Sequence, residues 1–323
     1  MLPGFAFDEL SPWTVQSWGI ALPKANLFIV GAPKCGTTAW WYYLSRHPEI
    51  FMAEPKEPHY FNTDFESFRW VKSKEQYDQL FSTAGDAAVR GEASVMYLYS
   101  SESAKNIFDY NADARILIFL RDHAEFLRSY HQQLLINLDE DQSDIKVALQ
   151  LESIRSRGEK VPRHCRDSRF LEYSKVASFG PQVQRYIEIF GSERVKILWM
   201  EDWAGSVSAA WKEVLEFLGL HSEGGILFDR INVARKPKSL FLSEAYKRPP
   251  QWLKRISRVS KHLGLNTQRL KQIVRNFNES EFQQTGMERE QVLKILGATI
   301  QHDMDRLSAL GCLPLTRGRQ TWE

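Results

Sequence analysis

Residues 27–44, LFIVGAPKCGTTAWWYYL, decide how this chain folds. The apolar run at the start predicts a buried strand that ends at Gly31, and a helix is predicted to begin after the loop APKCGTT. Gly31 and Gly36 allow backbone N–H groups to turn inward, and two threonines add hydroxyl donors at the positive end of the helix dipole. This turn is suited to hold an anion, and Lys34 would place a cation on it.

The spacing Gly31-x-x-x-x-Gly36 matches the opening of the nucleoside-triphosphate P-loop, in which a lysine follows the second glycine directly. Here Thr37 takes that place, and Lys34 lies earlier in the loop. Glycines also serve many strand-to-helix turns for shape alone. A P-loop nucleoside kinase or NTPase therefore remains an alternative function, as does a noncatalytic protein that binds a nucleotide.

Composition narrows the class of protein. The chain has 323 residues, of which 43% are hydrophobic, so it can bury the core of a large α/β domain. A formal net charge of +2 argues against nucleic acid as a partner. The three cysteines show neither disulfide nor zinc-ligand spacing. Without a visible leader or membrane-spanning run, we predict a cytoplasmic protein with no metal and no transmembrane segment.

A second polar stretch, KEPHYF at residues 56–61, follows the first predicted helix. Its prolines prevent a regular helix, and loops at this place in an open α/β sheet line the ligand crevice. In an extended chain Glu57 and His59 would face one side and Lys56 the other. A carboxylate or imidazole there could take a proton from a hydroxyl nucleophile. The alternative is that Glu57 pairs with a lysine and His59 caps a turn.

A third feature is FLRDHAEFLRSY at residues 119–130. The apolar run that ends at Leu120 predicts a central parallel strand, and a helix follows at once. Arg121 at the strand end and Ser129 two turns into the helix could converge on a second phosphate, with the arginine as a bidentate donor. The alternative is an ordinary basic helix face with Asp122 as its N-cap. A P-loop NTPase would more naturally place a magnesium-binding aspartate at this strand end.

Together these three stretches resemble the sulfotransferases that use 3′-phosphoadenosine 5′-phosphosulfate (PAPS). PKCGTT resembles the family's 5′-phosphosulfate loop, and FLRDHAEFLRSY resembles its 3′-phosphate motif. KEPHYF is similar to the lysine–glutamate–x–histidine stretch of the heparan-sulfate and bacterial carbohydrate branch, whose glutamate is the catalytic base. The resemblance runs from about residue 25 to 220. It implies an α/β, P-loop-like three-layer fold with a central, mostly parallel sheet flanked by helices.

The resemblance also implies a set of site residues. Glu57 would deprotonate the acceptor with His59 beside it, and Lys34 would stabilise the departing 3′-phosphoadenosine 5′-phosphate (PAP). The acceptor would be a hydroxyl or an amine, most simply on a saccharide or glycolipid. The residues implied to bind PAPS are Lys34, Cys35, Gly36, Thr37 and Thr38 at the 5′ end, and Arg121, Ser129 and Arg235 at the 3′ end.

The chain departs from the cytosolic small-molecule branch of the family in two places. That branch has a tryptophan directly after the two threonines, where this chain has Ala39, and a catalytic histidine near residues 92–94, where this chain has none. Both differences favour the carbohydrate-like branch. Glu92 is then either a second acid in the crevice or a structural carboxylate.

The predicted organisation has three parts. Residues 1–25 form an N-terminal extension, and residues 26–245 form the PAPS-binding core with a polar insertion at about 139–169. Residues 246–323 form a helical region packed on the core. The arginines of the insertion, such as Arg155 and Arg166, could recognise an acidic glycan, although a solvated surface is the alternative.

Overall fold

The computed structural model describes residues 23–221, 228, 235–237, 279–281 and 286–315. Five strands form one sheet, namely β1 (Leu27–Gly31), β2 (Ile50–Met52), β3 (Val89–Ala93), β4 (Arg115–Leu120) and β5 (Val195–Trp199). Their order is β2-β3-β1-β4-β5, and every pairing is parallel. The predicted α/β fold with a central parallel sheet is confirmed. A short antiparallel pair, β6 (Arg235–Pro237) and β7 (Glu279–Glu281), is separate from this sheet.

Helices flank the sheet. In the described ranges they are α1 (Thr37–Leu44), α2 (Lys74–Gln79), α3 (Ser103–Tyr110), α4 (His123–Asn137), α5 (Ile145–Gln150), α6 (Glu152–Arg155), α7 (Tyr173–Val176), α8 (Phe179–Phe190), α9 (Met200–Trp203), α10 (Val207–Leu218) and α11 (Gly286–Ala309). Short 3₁₀ turns lie at Glu66–Phe68, Ser168–Leu171 and Ser192–Arg194. Of these helices, none combines the length and the apolar character required to cross a bilayer.

The sheet centre explains why the apolar runs of β1 and β4 are continuous. Every residue of β1 is buried, as is β4 from Ile116 onward, because helices cover both faces of a parallel sheet. β1 lies between β3 and β4: the chain first places β2 and β3 on one side of β1 and then crosses over to place β4 and β5 on the other. Such a reversal opens a crevice at the carboxyl ends of the strands. The loops after β1 and β4 therefore begin beside the same crevice.

Residues 65–85 are helical only in part. A 3₁₀ turn comes first, and α2 begins only after Ser73, whose hydroxyl accepts a hydrogen bond from the Gln76 N–H. Between them, the N–H groups of Trp70 and Val71 donate to the carbonyl of Pro58 at 3.2 and 3.0 Å. These bonds to a distant loop replace the helical ones.

The polar segment after α4 folds back on itself. The guanidinium of Arg155, fully buried, donates to both carboxylate oxygens of Glu140 at 2.5 and 2.8 Å, and the Tyr173 hydroxyl donates to the same carboxylate at 2.8 Å. The prediction that Arg155 could contact an acidic glycan is wrong, because a buried charge must keep its partner. The last described helix, α11, packs on α4, α5 and α8.

Candidate active site

A cavity of about 850 Å³ opens where the loops after β1 and β4 meet. Its wall includes residues from both predicted anion turns and from the KEPHYF loop. The predicted site residues that line it are Lys34, Gly36, Thr37, Thr38, Glu57, His59, Arg121 and Ser129. Three stretches that are far apart in the sequence therefore share one cleft.

The turn after β1 leaves backbone donors available to a ligand. Lys34 and Gly36 both have left-handed backbone angles, with φ of 65° and 86°. Gly36 is the N-cap of α1, and among the described residues no side chain caps this helix start with a hydrogen bond. Those N–H groups, together with the Thr37 and Thr38 side chains, form an anion cradle at the positive end of α1.

Gly36 is also fixed by a neighbour that sequence reasoning missed. A Cβ atom at this position would lie 2.4 Å from Cζ2 of Trp203, a buried residue of α9. We expect Gly36→Ala to lower the free energy of unfolding by about 2–4 kcal/mol, from left-handed strain plus overpacking. Urea denaturation measures this. Gly85→Ala is the matched control. Gly85 is also left-handed, with a φ of 54°, but a Cβ atom at this position would have no other atom within 4 Å. Equal losses in the two variants would contradict the role of Trp203.

Lys34 is the cation of the cradle. Its Nζ donates to the side-chain oxygen of Gln133 at 3.1 Å, so its partner is neutral. Burial lowers the pKa of Lys34, and the charge of Arg121 lowers it further. The two cations therefore repel one another across the cavity, and an anion bound between them would relieve that repulsion.

Arg121 and Ser129 lie at the junction of β4 and α4. Asp122 caps α4 by accepting from the Glu125 N–H at 3.1 Å, and its own N–H donates to Glu201 at 3.0 Å. The sequence offered an N-cap at Asp122 as the alternative to a phosphate site. The structure contains both the cap and a cavity-facing Arg121, whose contact with Glu125 is a long one of 3.5 Å.

One predicted donor-binding residue, Cys35, is absent from the cavity wall. The Cys35 side chain is fully buried, and its Sγ donates to the Pro33 carbonyl at 3.5 Å. Burial raises the pKa of this thiol. Donor binding by Cys35 stays a prediction. Arg235 begins β6, whose backbone lies beside α4, but its side chain lies outside the described residues.

The KEPHYF loop is not extended as predicted. Glu57 and His59 have φ of 69° and 50°, and the loop is pinned where the Glu57 N–H donates to the Ala93 carbonyl at 3.0 Å. Glu57 and His59 do face one cavity. The prediction that Lys56 faces the other way is wrong, because its Nζ lies 2.6 Å from Glu57 Oε1. The left-handed residues turn the lysine back toward the carboxylate.

Glu57 is held as a carboxylate. Its other oxygen lies 3.4 Å from His59 Nε2. Burial acts to raise the pKa of Glu57, but the charge of Lys56 and the hydrogen bonds from His59 and Lys56 outweigh it, so the pKa is lowered. Burial also lowers the pKa of His59, against the opposing effect of Glu57. Glu57 is therefore ionised at neutral pH and next to a buried imidazole.

Glu92 is linked to the KEPHYF loop through hydrogen bonds. It is buried and accepts hydrogen bonds from the Ser94 hydroxyl at 2.8 Å and the Tyr77 hydroxyl at 3.2 Å. Ser94 Oγ also accepts from the His59 N–H at 3.1 Å. Glu92 is absent from the cavity wall. Of its two predicted roles, the geometry favours the structural carboxylate.

Burial raises the pKa of Glu92 to about 7, from an ordinary value of 4.5. Between these pH values the folded protein binds more protons than the unfolded chain, so this group makes stability fall as pH rises. We expect Glu92→Gln to remove up to about 3 kcal/mol of that pH dependence. Urea denaturation of both proteins at pH 5 and pH 8 measures it. Parallel pH dependence in the two proteins would contradict the raised pKa.

Several residues of the cavity wall were not among the predicted site residues. They come from separate elements, and only the folded chain brings them together: Phe68, Trp70, Tyr130, Gln133, Phe170, Met200 and Trp203. Within the described ranges, no group of three His, Cys, Asp or Glu residues is arranged to hold a metal ion.

Comparison with known proteins gives the family. A family model described as a sulfotransferase domain matches residues 24–232, more than half of the chain. Membrane-associated sulfotransferase kil1 of Dictyostelium discoideum is 34% identical over 116 residues, which are 35% of this chain and 24% of that protein. Carbohydrate sulfotransferase 15 of Homo sapiens is 24% identical over 249 residues, which are 60% of this chain and 44% of that protein. The chain thus spans less than half the length of these curated relatives.

A solved structure shares the fold. The crystal structure of a sulfotransferase from Alicyclobacillus acidocaldarius superposes with a TM-score of 0.66 and 24% identity, covering 92% of this chain and 100% of that one. The parallel sheet and the helices around it are therefore common to both. The family match extends from before β1 to beyond α10 and so includes both anion turns and the KEPHYF loop. This chain belongs to the sulfotransferase family.

Proposed function

We propose that this protein transfers a sulfuryl group from PAPS to a hydroxyl, or an amine, of a saccharide or glycolipid in the cytoplasm. The observation that carries the proposal is the shared cavity, in which an anion cradle after β1 faces a second cationic junction after β4. A donor with anionic groups at both ends of an adenosine fits two such junctions. The loop with Glu57 supplies a base in the same cavity.

The donor would lie with its 5′-phosphosulfate in the cradle of Gly36, Thr37 and Thr38 and its 3′-phosphate at Arg121 and Ser129. Backbone N–H groups and the helix dipole hold the first anion without a metal. The guanidinium of Arg121 suits the second because it presents parallel donors to a phosphate. Its long contact with Glu125 leaves it able to turn to a ligand.

Sulfuryl transfer is an in-line displacement in which positioning and charge stabilisation do most of the work. The acceptor oxygen forms a bond to sulfur while the bond from sulfur to the bridging oxygen of PAPS breaks. The acceptor's proton passes to the Glu57 carboxylate, and the electron pair of the broken bond stays on PAP. Lys34 stabilises the negative charge on that oxygen.

The acceptor class is the less direct part of the proposal. It is supported by KEPHYF, which resembles the carbohydrate branch, and by the match to a carbohydrate sulfotransferase. A kinase or NTPase would require a lysine where this chain has Thr37, and a magnesium-binding aspartate where it has Arg121.

Calorimetric titration with PAP and with ATP, both in EDTA, tests the donor assignment. We expect PAP to bind and ATP to bind at least about tenfold more weakly, because ATP lacks the 3′-phosphate. Arg121→Ala should weaken PAP binding by about tenfold or more, the value of a charged hydrogen-bonded contact. Absence of PAP binding by the wild-type protein, or preference for ATP, would overturn the proposal.

A further inference from the structure

Trp70 is an exposed aromatic side chain at the rim of the cavity. The residue is 75% exposed, yet it lines the cavity wall. Its backbone is fixed, because its N–H and that of Val71 both donate to the carbonyl of Pro58. Pro58 separates Glu57 from His59 in the chain. The indole is therefore presented to solvent from a backbone that is tied directly to the proposed catalytic loop.

The wall behind Trp70 is aromatic as well. The Phe68 ring centroid lies 4.4 Å from that of His59 and 5.3 Å from that of Phe170. Phe68 and Phe170 both line the cavity. An apolar surface thus runs from the imidazole beside Glu57 outward to the rim.

Arg166, the cation on this surface, is already paired with a carboxylate. Arg166 lies over the Phe68 ring, with Cζ 4.5 Å from its centroid. Its Nε and Nη2 donate to the two carboxylate oxygens of Asp139 at 3.0 and 2.5 Å, and Asp139 is completely buried. Turning Arg166 toward a ligand would leave an uncompensated buried carboxylate, which is strongly unfavourable.

Charge therefore divides the described cavity wall into two halves. On the donor side Lys34 has the neutral Gln133 as its partner, and Arg121 has one long contact with a carboxylate. On the side of Trp70, Arg166 is neutralised by Asp139, and Lys56 near it is neutralised by Glu57. The first half suits an anion, while the second offers the exposed indole of Trp70 and cations whose charges are already balanced by carboxylates.

We propose that Trp70 and Phe68 form the acceptor subsite and that it selects a neutral sugar ring over an acidic one; this inference rests on the proposed function. One face of a pyranose carries C–H groups and its hydroxyls lie around the edge. Stacking the C–H face on an aromatic ring buries apolar surface and leaves an edge hydroxyl free to approach Glu57. In this half of the described wall, a uronate or sulfate on the same ring would meet cations that are already paired with the carboxylates of Asp139 and Glu57.

Matched pairs of acceptors test this inference. Methyl glycosides of glucose and galactose are compared with the corresponding methyl uronides, which differ in carrying a carboxylate at C6. We expect kcat/KM for the neutral member to exceed that for the uronide by about tenfold or more. Trp70→Ala should raise KM for the neutral glycoside by about tenfold and leave the Kd for PAP unchanged, whereas Trp70→Phe should retain most of the affinity. Phe108→Ala, an exposed aromatic of α3 outside the cavity wall, is the control.

Each contrary outcome has a distinct meaning. Faster turnover of the uronides, or an unchanged KM in Trp70→Ala, would overturn the subsite. Turnover of a phenol or another acceptor, with no turnover of any glycoside, would overturn the sugar assignment and leave sulfuryl transfer in place. Failure of the wild-type protein to bind PAP would remove the proposed function and this inference with it.

Discussion

Lys34→Ala is expected to lower kcat by about 10²–10³-fold, the usual effect of removing one preorganised donor from a site where charge develops. Lys34 is the cavity cation that has a neutral hydrogen-bond partner, and burial keeps water from screening it. Its interaction with the leaving oxygen would be stronger in the transition state than in the ground state, so kcat should fall as well as kcat/KM. Steady-state kinetics with saturating PAPS measures the loss.

The pH dependence provides a second readout of Lys34. Because burial and the charge of Arg121 lower its pKa, the ammonium loses its proton at a lower pH than an ordinary lysine does. The alkaline limb of kcat/KM, which reports the free enzyme, should therefore fall below the usual lysine range. Gln133→Ala is the matched control, because it removes the partner and keeps the charge; a loss of less than about tenfold is expected. If Lys34→Ala retained kcat within about threefold, another group would have to stabilise the leaving oxygen.

The fold and the broad location of the site could be predicted because their signals are local. The apolar run of β1 is followed at once by glycines and threonines, and β4 is followed by Arg121 and Asp122. Each junction can be predicted from a stretch of about ten residues. The parallel sheet then brings the two junctions to the same edge, a consequence of topology that holds for any open α/β sheet.

The remaining features depend on contacts between distant parts of the chain. Trp203 covers Gly36 from a different element, and Asp139 neutralises Arg166 within the polar segment. The sequence identifies an arginine but not the residue that it pairs with. It therefore cannot distinguish an arginine paired with a buried carboxylate from one that is available to bind a ligand. The orientation of Lys56 also depended on distant contacts. Hydrogen bonds to other parts of the chain hold the KEPHYF loop in a left-handed backbone conformation that non-glycine residues rarely adopt. Lys56 therefore lies on the opposite side from the one predicted for an extended chain.

Glu57→Gln is expected to lower kcat by about 10²–10⁴-fold, the usual contribution of a positioned general base. Glutamine has the shape of glutamate and keeps an acceptor oxygen for Lys56, but it cannot take the acceptor's proton. The Kd for PAP should stay within about threefold of the wild-type value, because the donor site is built from other residues. Kinetics and calorimetry on the same preparations separate these two effects.

The environment of Glu57 adds a test of its role. Since Lys56 and His59 lower its pKa, the wild-type carboxylate is ionised across the neutral range, and its protonation should not limit kcat/KM there. Lys56→Met removes the charge that opposes burial, so the pKa of Glu57 should rise and the acid limb of kcat/KM should move to higher pH. Below that pKa the base is protonated and the rate falls. Two results together would exclude Glu57 as the base: an acid limb of kcat/KM that does not move in Lys56→Met, and full activity in Glu57→Gln. If activity were then lost in His59→Asn alone, the proton transfer would be assigned to the imidazole.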